Sequence, residues 1–145
     1  MKTIILILTS AFMLFSCNSD EDNFTIQNIN PVLIGKGNDN NNVPPQNSKI
    51  TNSAEWNALL SSFGSSITST FTETNIDFNT FDVIVTVDEI RQDSGHSRTI
   101  TSIVENQNDI VAVIVNEYAG TGYTVLTRPY HIVKIPKSSK PIVFQ

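Results

Sequence analysis

Residues 81–136 constrain this chain more than any other stretch. Four runs rich in β-branched residues follow one another there, FDVIVTVDEI, RTITSIVEN, IVAVIVNEY and RPYHIVKIP, with short polar connections between them. Such runs cannot cover their own apolar faces, so they must stack as one sheet system and recruit what precedes them. In the first run Val83, Val85 and Val87 share one face, and Ile84, Thr86 and Asp88 share the other. The third sets Val111, Val113 and Val115 opposite Ile110, Ala112 and Ile114, and apolar residues on both faces predict a central strand. In the last, His131, Val133 and Ile135 alternate with Tyr130, Ile132 and Lys134 until Pro136 ends it. The second run alternates less cleanly and suits a partly exposed strand. Residues 106–109, Asn-Gln-Asn-Asp, read as a hairpin connection, and 141–144 as a short terminal strand.

Upstream, one helix is predicted. Asn52 or Ser53 can cap it, Glu55 lies in its first turn, and Gly64 stands where a left-handed residue ends a helix. Trp56, Leu59, Leu60 and Phe63 recur at spacings of three and four, giving one apolar face that must lie on the sheet. Residues 24–34 alternate weakly around Pro31, which confines any strand there to an edge. Residues 35–48, GKGNDNNNVPPQNS, read as a loop by composition. The expectation is a mainly β, β-rich α+β domain over residues 24–145: an antiparallel sheet or sandwich with one short amphipathic helix packed on it.

Residues 1–16 have the form of an export signal, with Lys2 as the charged n-region and an apolar run from 4 to 15. That run is shorter than the ~20 residues needed to span a bilayer as a helix. Leu14-Phe15-Ser16-Cys17 resembles the lipobox of bacterial lipoproteins, which implies lipidation of Cys17 and a membrane anchor. Cys17 is also the sole cysteine, so no intrachain disulfide staples the fold. Residues 17–23 then form an acidic lipidated tether. Its Asn-Ser-Asp-Glu-Asp run resembles the export signal that sends Bacteroidetes lipoproteins to the cell surface, and a solvated tether without an address is the other reading. Together these imply the outer membrane or surface of a Gram-negative bacterium. A net charge of −5, which loses Lys2 on processing, argues against nucleic acid, whose phosphates need a basic face.

Chemistry is hard to place. His96 and His131 are the only histidines, and neither has a metal-ligand spacing partner. His131, within a strand, is expected to be partly buried and bonded to backbone; His96, in a turn, is expected to be exposed. Asp39 with Asn41 fails as a calcium loop, since Pro44 and Ile50 occupy the required glycine and glutamate positions. Gly120-Thr121-Gly122-Tyr123 lacks the lysine and helix of a phosphate loop, and no Gly-x-Ser-x-Gly elbow occurs. No enzyme activity and no cofactor are expected. Tyr118, Tyr123 and Tyr130 gather with Arg128 around the 117–128 loop, and tyrosine with arginine is the composition of contact surfaces. Tyr118, Gly120, Gly122, Tyr123, Arg128 and Tyr130, with Gly95 and His96 of the 93–98 turn, are the candidate partner-binding residues. The alternative is that Tyr123 and Tyr130 simply pack.

The closing text Thr127-Arg128-Pro129-Tyr130-His131-Ile132-Val133-Lys134-Ile135-Pro136-Lys137, with Ile100-Thr101-Ser102-Ile103 after a glycine-containing turn, resembles the C-terminal domain of the protease complex subunit PrcB and its lipoprotein relatives. The likeness covers about residues 82–137. It departs at the turn, where the family's Gly-Gly-aromatic-Ser-Ile is met by Ser94, Gly95, His96, Ser97 and Arg98. The resemblance implies a non-enzymatic subunit that binds another envelope protein, a protease among the candidates. A loop-based protease inhibitor is the alternative, because Gly120-Thr121-Gly122-Tyr123 and Arg128-Pro129-Tyr130 faintly resemble the loops of chagasin-like inhibitors. Metabolic labelling with palmitate is expected to mark the protein expressed in a Gram-negative host, and Cys17→Ser to abolish the label.

Overall fold

The alternation in residues 81–87 and 128–136 forces a layer that is covered twice. In the structure, a computed structural model describing residues 24–39, 43–120 and 123–145, these segments are β4 (Phe81–Val87) and β7 (Arg128–Pro136). They pair antiparallel at the centre of a four-stranded sheet, flanked by β2 (Val32–Asp39) and β3 (Gln46–Ile50) in the order β2-β7-β4-β3. A second sheet, ordered β1-β5-β6-β8, comprises β1 (Gln27–Ile29), β5 (His96–Glu105), β6 (Ile110–Tyr118) and β8 (Ile142–Phe144). All pairings are antiparallel except that of β6 with β8. The expected mainly β, α+β fold is thus a sandwich with helices on one outer face. The expected leader, the tether with Cys17, and Gly122 lie outside the described residues.

One face of the central sheet presents Val83, Val85, Val87, Tyr130 and Ile132 to the helices, and the other presents Ile84, Val133 and Ile135 to the second sheet. The first core is closed by α1 (Ser53–Phe63) and the one-turn α2 (Ser65–Thr68). Helix α1 begins and ends as its residues dictate. The Asn52 side-chain oxygen accepts the Glu55 N–H at 3.0 Å, and Gly64, at φ 75°, donates its N–H to the Leu60 carbonyl. Trp56, Leu59 and Phe63 are buried, and the Trp56 indole N–H finds the Thr74 carbonyl at 2.7 Å. Phe63, Phe71 and Tyr130 pack as a triad with ring centroids 4.9 to 6.0 Å apart.

Residues 35–48 depart from the loop expected of them, since β2 and β3 occupy most of that stretch. Its glycines are there for close approach. A Cβ on Gly35 would lie 2.6 Å from Phe71 Cδ1, and one on Gly37 would lie 3.2 Å from the Tyr130 hydroxyl. The bare backbone lets two aromatic rings rest on the strand, so a composition that normally breaks structure here accommodates it. Pro31 does separate two edge strands, β1 and β2, one in each sheet. Strand β6 is internal, as its pattern predicts, but its outer face is only partly covered: Val111 and Val113 are half-buried and Val115 is exposed.

Two buried polar contacts reinforce the layers, one within the central sheet and one between the sheets. Asp82, fully buried, is held by Lys49 at 3.6 Å, Lys137 at 3.3 Å and the Ser138 N–H at 3.0 Å. Those groups satisfy a carboxylate that would otherwise be costly to bury. His131, buried on β7, accepts the Ile100 N–H of β5 on Nδ1 at 2.9 Å, which bonds one sheet to the other. This is the backbone-bonded, buried histidine that its position in the strand predicts.

Burial, aided by the Lys36 charge, pushes the His131 pKa down to about 4 from an ordinary 6.5. The unfolded chain therefore takes up this proton first as pH falls. The contribution of His131 is complete above about pH 6.5 and is lost as pH drops towards 4, with a slope of at most about 1.4 kcal/mol per pH unit. Urea unfolding across that range should show a shallower pH dependence for His131→Gln than for the native chain. Parallel curves would contradict the assignment.

Candidate functional site

The loops at residues 88–95 and 119–127 leave the same end of the sandwich and are stitched together by backbone hydrogen bonds. Arg91 and Thr127 exchange N–H to carbonyl bonds of 2.7 and 2.9 Å. Ser94 donates to the Tyr123 carbonyl and Ala119 to the Gly95 carbonyl, both at 2.9 Å. The Thr127 hydroxyl adds a bond to the Asp93 carbonyl at 3.1 Å. Gly95 sits at φ 94° and Gly120 at φ 67°, left-handed conformations that side chains disfavour, which is why glycine marks both turns.

Between the loops lies a small polar cluster. His96 and Tyr118 are register partners on β5 and β6, and their rings stack at 4.4 Å. The Asp93 carboxylate holds both: His96 Nε2 lies 2.6 Å from one oxygen, and the Tyr118 hydroxyl donates to the other at 2.7 Å. The Tyr118 hydroxyl, with His96 second, lowers the Asp93 pKa, and the same bond raises that of Tyr118. His96, expected in an exposed turn, instead opens β5 with its ring half-covered by this stack. The Ser97 hydroxyl is turned to Glu117.

Around the cluster the loops and the end of β6 hold out large apolar side chains. Ile90 is 44% exposed, Tyr118 53%, Tyr123 75%, Val125 50% and Leu126 58%. Gly95, His96, Tyr118, Gly120 and Tyr123, all predicted as contact residues, do come together here. Arg128 and Tyr130 do not. Both lie on the helix-facing side of β7, where Tyr130 packs on Phe63 and Phe71, and the Arg128 guanidinium donates to the Val43 carbonyl. With 7% and 3% exposure they cannot meet a partner, which corrects their assignment. A strand buried on both faces leaves no outward position. The pairing of the 93–98 turn with the 117–128 loop is the one the sequence suggests, but the Asp93 carboxylate that holds His96 and Tyr118, and the exposed Ile90, Val125 and Leu126, escape it, because local spacing does not show which side chains of a loop meet and which stay in solvent.

A second polar group lies deeper, between the sheets. Arg98 donates through Nη1 to Asp88 at 3.3 Å and Asn116 at 3.0 Å, through Nη2 to Asn47 at 2.9 Å, and through Nε to the Thr86 hydroxyl. Burial lowers its pKa, and the Asp88 charge opposes that shift. Asp88 in turn binds Arg91 at 2.7 Å. Cavities of about 200 and 180 Å3 flank Arg98, yet each of its nitrogens is already committed to a protein acceptor. The group therefore bridges the open end of the sandwich. Among the described residues, no three His, Cys, Asp or Glu side chains converge as metal ligands.

Set against models of protein families, curated proteins and solved structures, the chain matches none.

The Asp93 contact makes a spectroscopic prediction. Ultraviolet titration of tyrosinate formation should show Tyr118 ionising above the ordinary tyrosine range, and Asp93→Asn should bring that transition back down. Tyr118→Phe, which removes the transition, identifies it.

Proposed function

We propose that this protein is a lipid-anchored envelope lipoprotein whose β-sandwich is a non-enzymatic protein-binding module, with the joined 88–95 and 119–127 loops as its contact surface. The observation that carries this reading is the set of five large apolar side chains, Ile90, Tyr118, Tyr123, Val125 and Leu126, each 44 to 75% exposed on two loops that share backbone hydrogen bonds and on the adjoining end of β6. Scattered apolar residues on a surface need no explanation, but several of them gathered on two loops that backbone hydrogen bonds hold together favour a partner. Aromatic side chains suit such a contact, since they supply large area at low cost in conformational entropy.

The anchor rests on the Leu14-Phe15-Ser16-Cys17 resemblance to a lipobox and on the export-signal form of residues 1–16. The accessory-subunit reading rests on the likeness of residues 127–137 to the PrcB C-terminal domain. Those residues form β7, which is buried through most of its length. The likeness therefore speaks for a shared architecture, and the choice of partner belongs to the exposed loops. The inhibitor alternative loses Arg128 and Tyr130 to the core and keeps only the tip near Tyr123.

Tyr123→Ala combined with Leu126→Asp should reduce recovery of the co-purifying envelope partner from native membranes at least tenfold, with thermal stability unchanged. Undiminished recovery would end the proposal. Assays against papain-like and subtilisin-like proteases separate the two roles: an accessory subunit leaves both uninhibited.

A further inference from the structure

A sheet edge needs cover, because its unpaired N–H and C=O groups invite another strand. Three of the four edges here have it or are too short to matter. Strands β1 and β8 are three residues each. Strand β2 is bulged between Leu33 and Gly35, and Thr72 bonds its outer side, donating its N–H to the Ile34 carbonyl and its hydroxyl to the Leu33 carbonyl, both at 2.8 Å. Strand β3 is different. Its five residues pair with β4 in unbroken register, and among the described residues no backbone group bonds its other side. Its inward charge, Lys49, is turned away into Asp82 and the Ser138 and Lys140 carbonyls.

Beside that edge runs a groove of about 470 Å3 between β3 and the flank of α1, with Ser48 and Ile50 on one side and Glu55, Ala58, Leu59 and Ser62 on the other. We infer that this groove binds an extended segment of a partner polypeptide, which adds to β3 as a fifth strand. The segment seats an aliphatic side chain against Ala58 and Leu59 and turns a lysine or arginine to Glu55. Five residues of free edge span about 16 Å, a length that only another extended backbone can satisfy with regularly spaced hydrogen bonds. Charge selects the occupant. Among the described residues Glu55 has no ion-pair partner, while the one cation lining the groove is consumed by Asp82. A second copy of this chain fits less well: each carries a net charge of −5, and antiparallel pairing of two β3 edges sets both α1 flanks against each other over the seam. The groove shares no residue with the loop surface proposed above, so either can fail without the other.

The test is selection of the full chain against a displayed library of short random peptides. Enriched sequences should combine an aliphatic with a basic residue. Ala58→Trp, which fills the groove from an exposed helix position, should weaken the selected peptide at least tenfold with unchanged melting temperature, and Ser62→Trp on the same flank should repeat the effect. N-methylation of alternate peptide nitrogens should abolish binding for one alternating set and spare the other. Several results overturn the inference: no enrichment, equal binding by Ala58→Trp and Ser62→Trp, or indifference to both sets of N-methyl groups. Self-association that Ala58→Trp disrupts also overturns it, in favour of a second copy as occupant.

Discussion

The structure depends on the double desolvation of β4 and β7. Every residue of β4 after Phe81 is buried, and β7 is buried from Arg128 to Val133. Apolar surface removed from water contributes roughly 25 cal/mol per Å2, so a strand with two apolar faces is stable only where both are covered. That requirement accounts for the layers on either side. The helices close one face through Trp56, Leu59 and Phe63, and the β1-β5-β6-β8 sheet closes the other through Ile100, Ile103, Ile110 and Ala112.

The polar groups in this core are those that the layering cannot avoid. Thr86, His131 and Asp82 lie on strand faces turned towards the second sheet, and each has found a partner from another strand or from the C-terminal segment. Buried polar groups without partners are costly, and two of these contacts, His131 with Ile100 and Arg98 with Thr86, cross between the sheets and add to what apolar packing specifies. The exception is the side of β7 near Arg128, where Arg128 Nε and Asp39 Oδ1 are buried without a hydrogen-bond partner among the described residues.

The cover is uneven. The outer valines of β6, the apolar tips of the two joined loops and the free side of β3 are all places where the scaffold stops short of satisfying its own surface. The exposed side chains at these places lie outside both core clusters.

Local pattern was enough to determine the strands at 81–87, 110–118 and 128–136, the cap and stop of α1, and the burial of His131, because alternation, capping geometry and helical spacing are all written within a few residues. Two things were decided only by tertiary contact. Gly35 and Gly37 belong to a strand because Phe71 and Tyr130, distant in sequence, lie over them, and glycine by itself signals a turn. Asp93 joins the His96 and Tyr118 that the sequence had grouped, and Arg128 and Tyr130 leave that group, because the sandwich brings the two loops together and turns one face of β7 inward. Composition marks which residues suit a contact; only the packing of the layers fixes which of them reach the solvent.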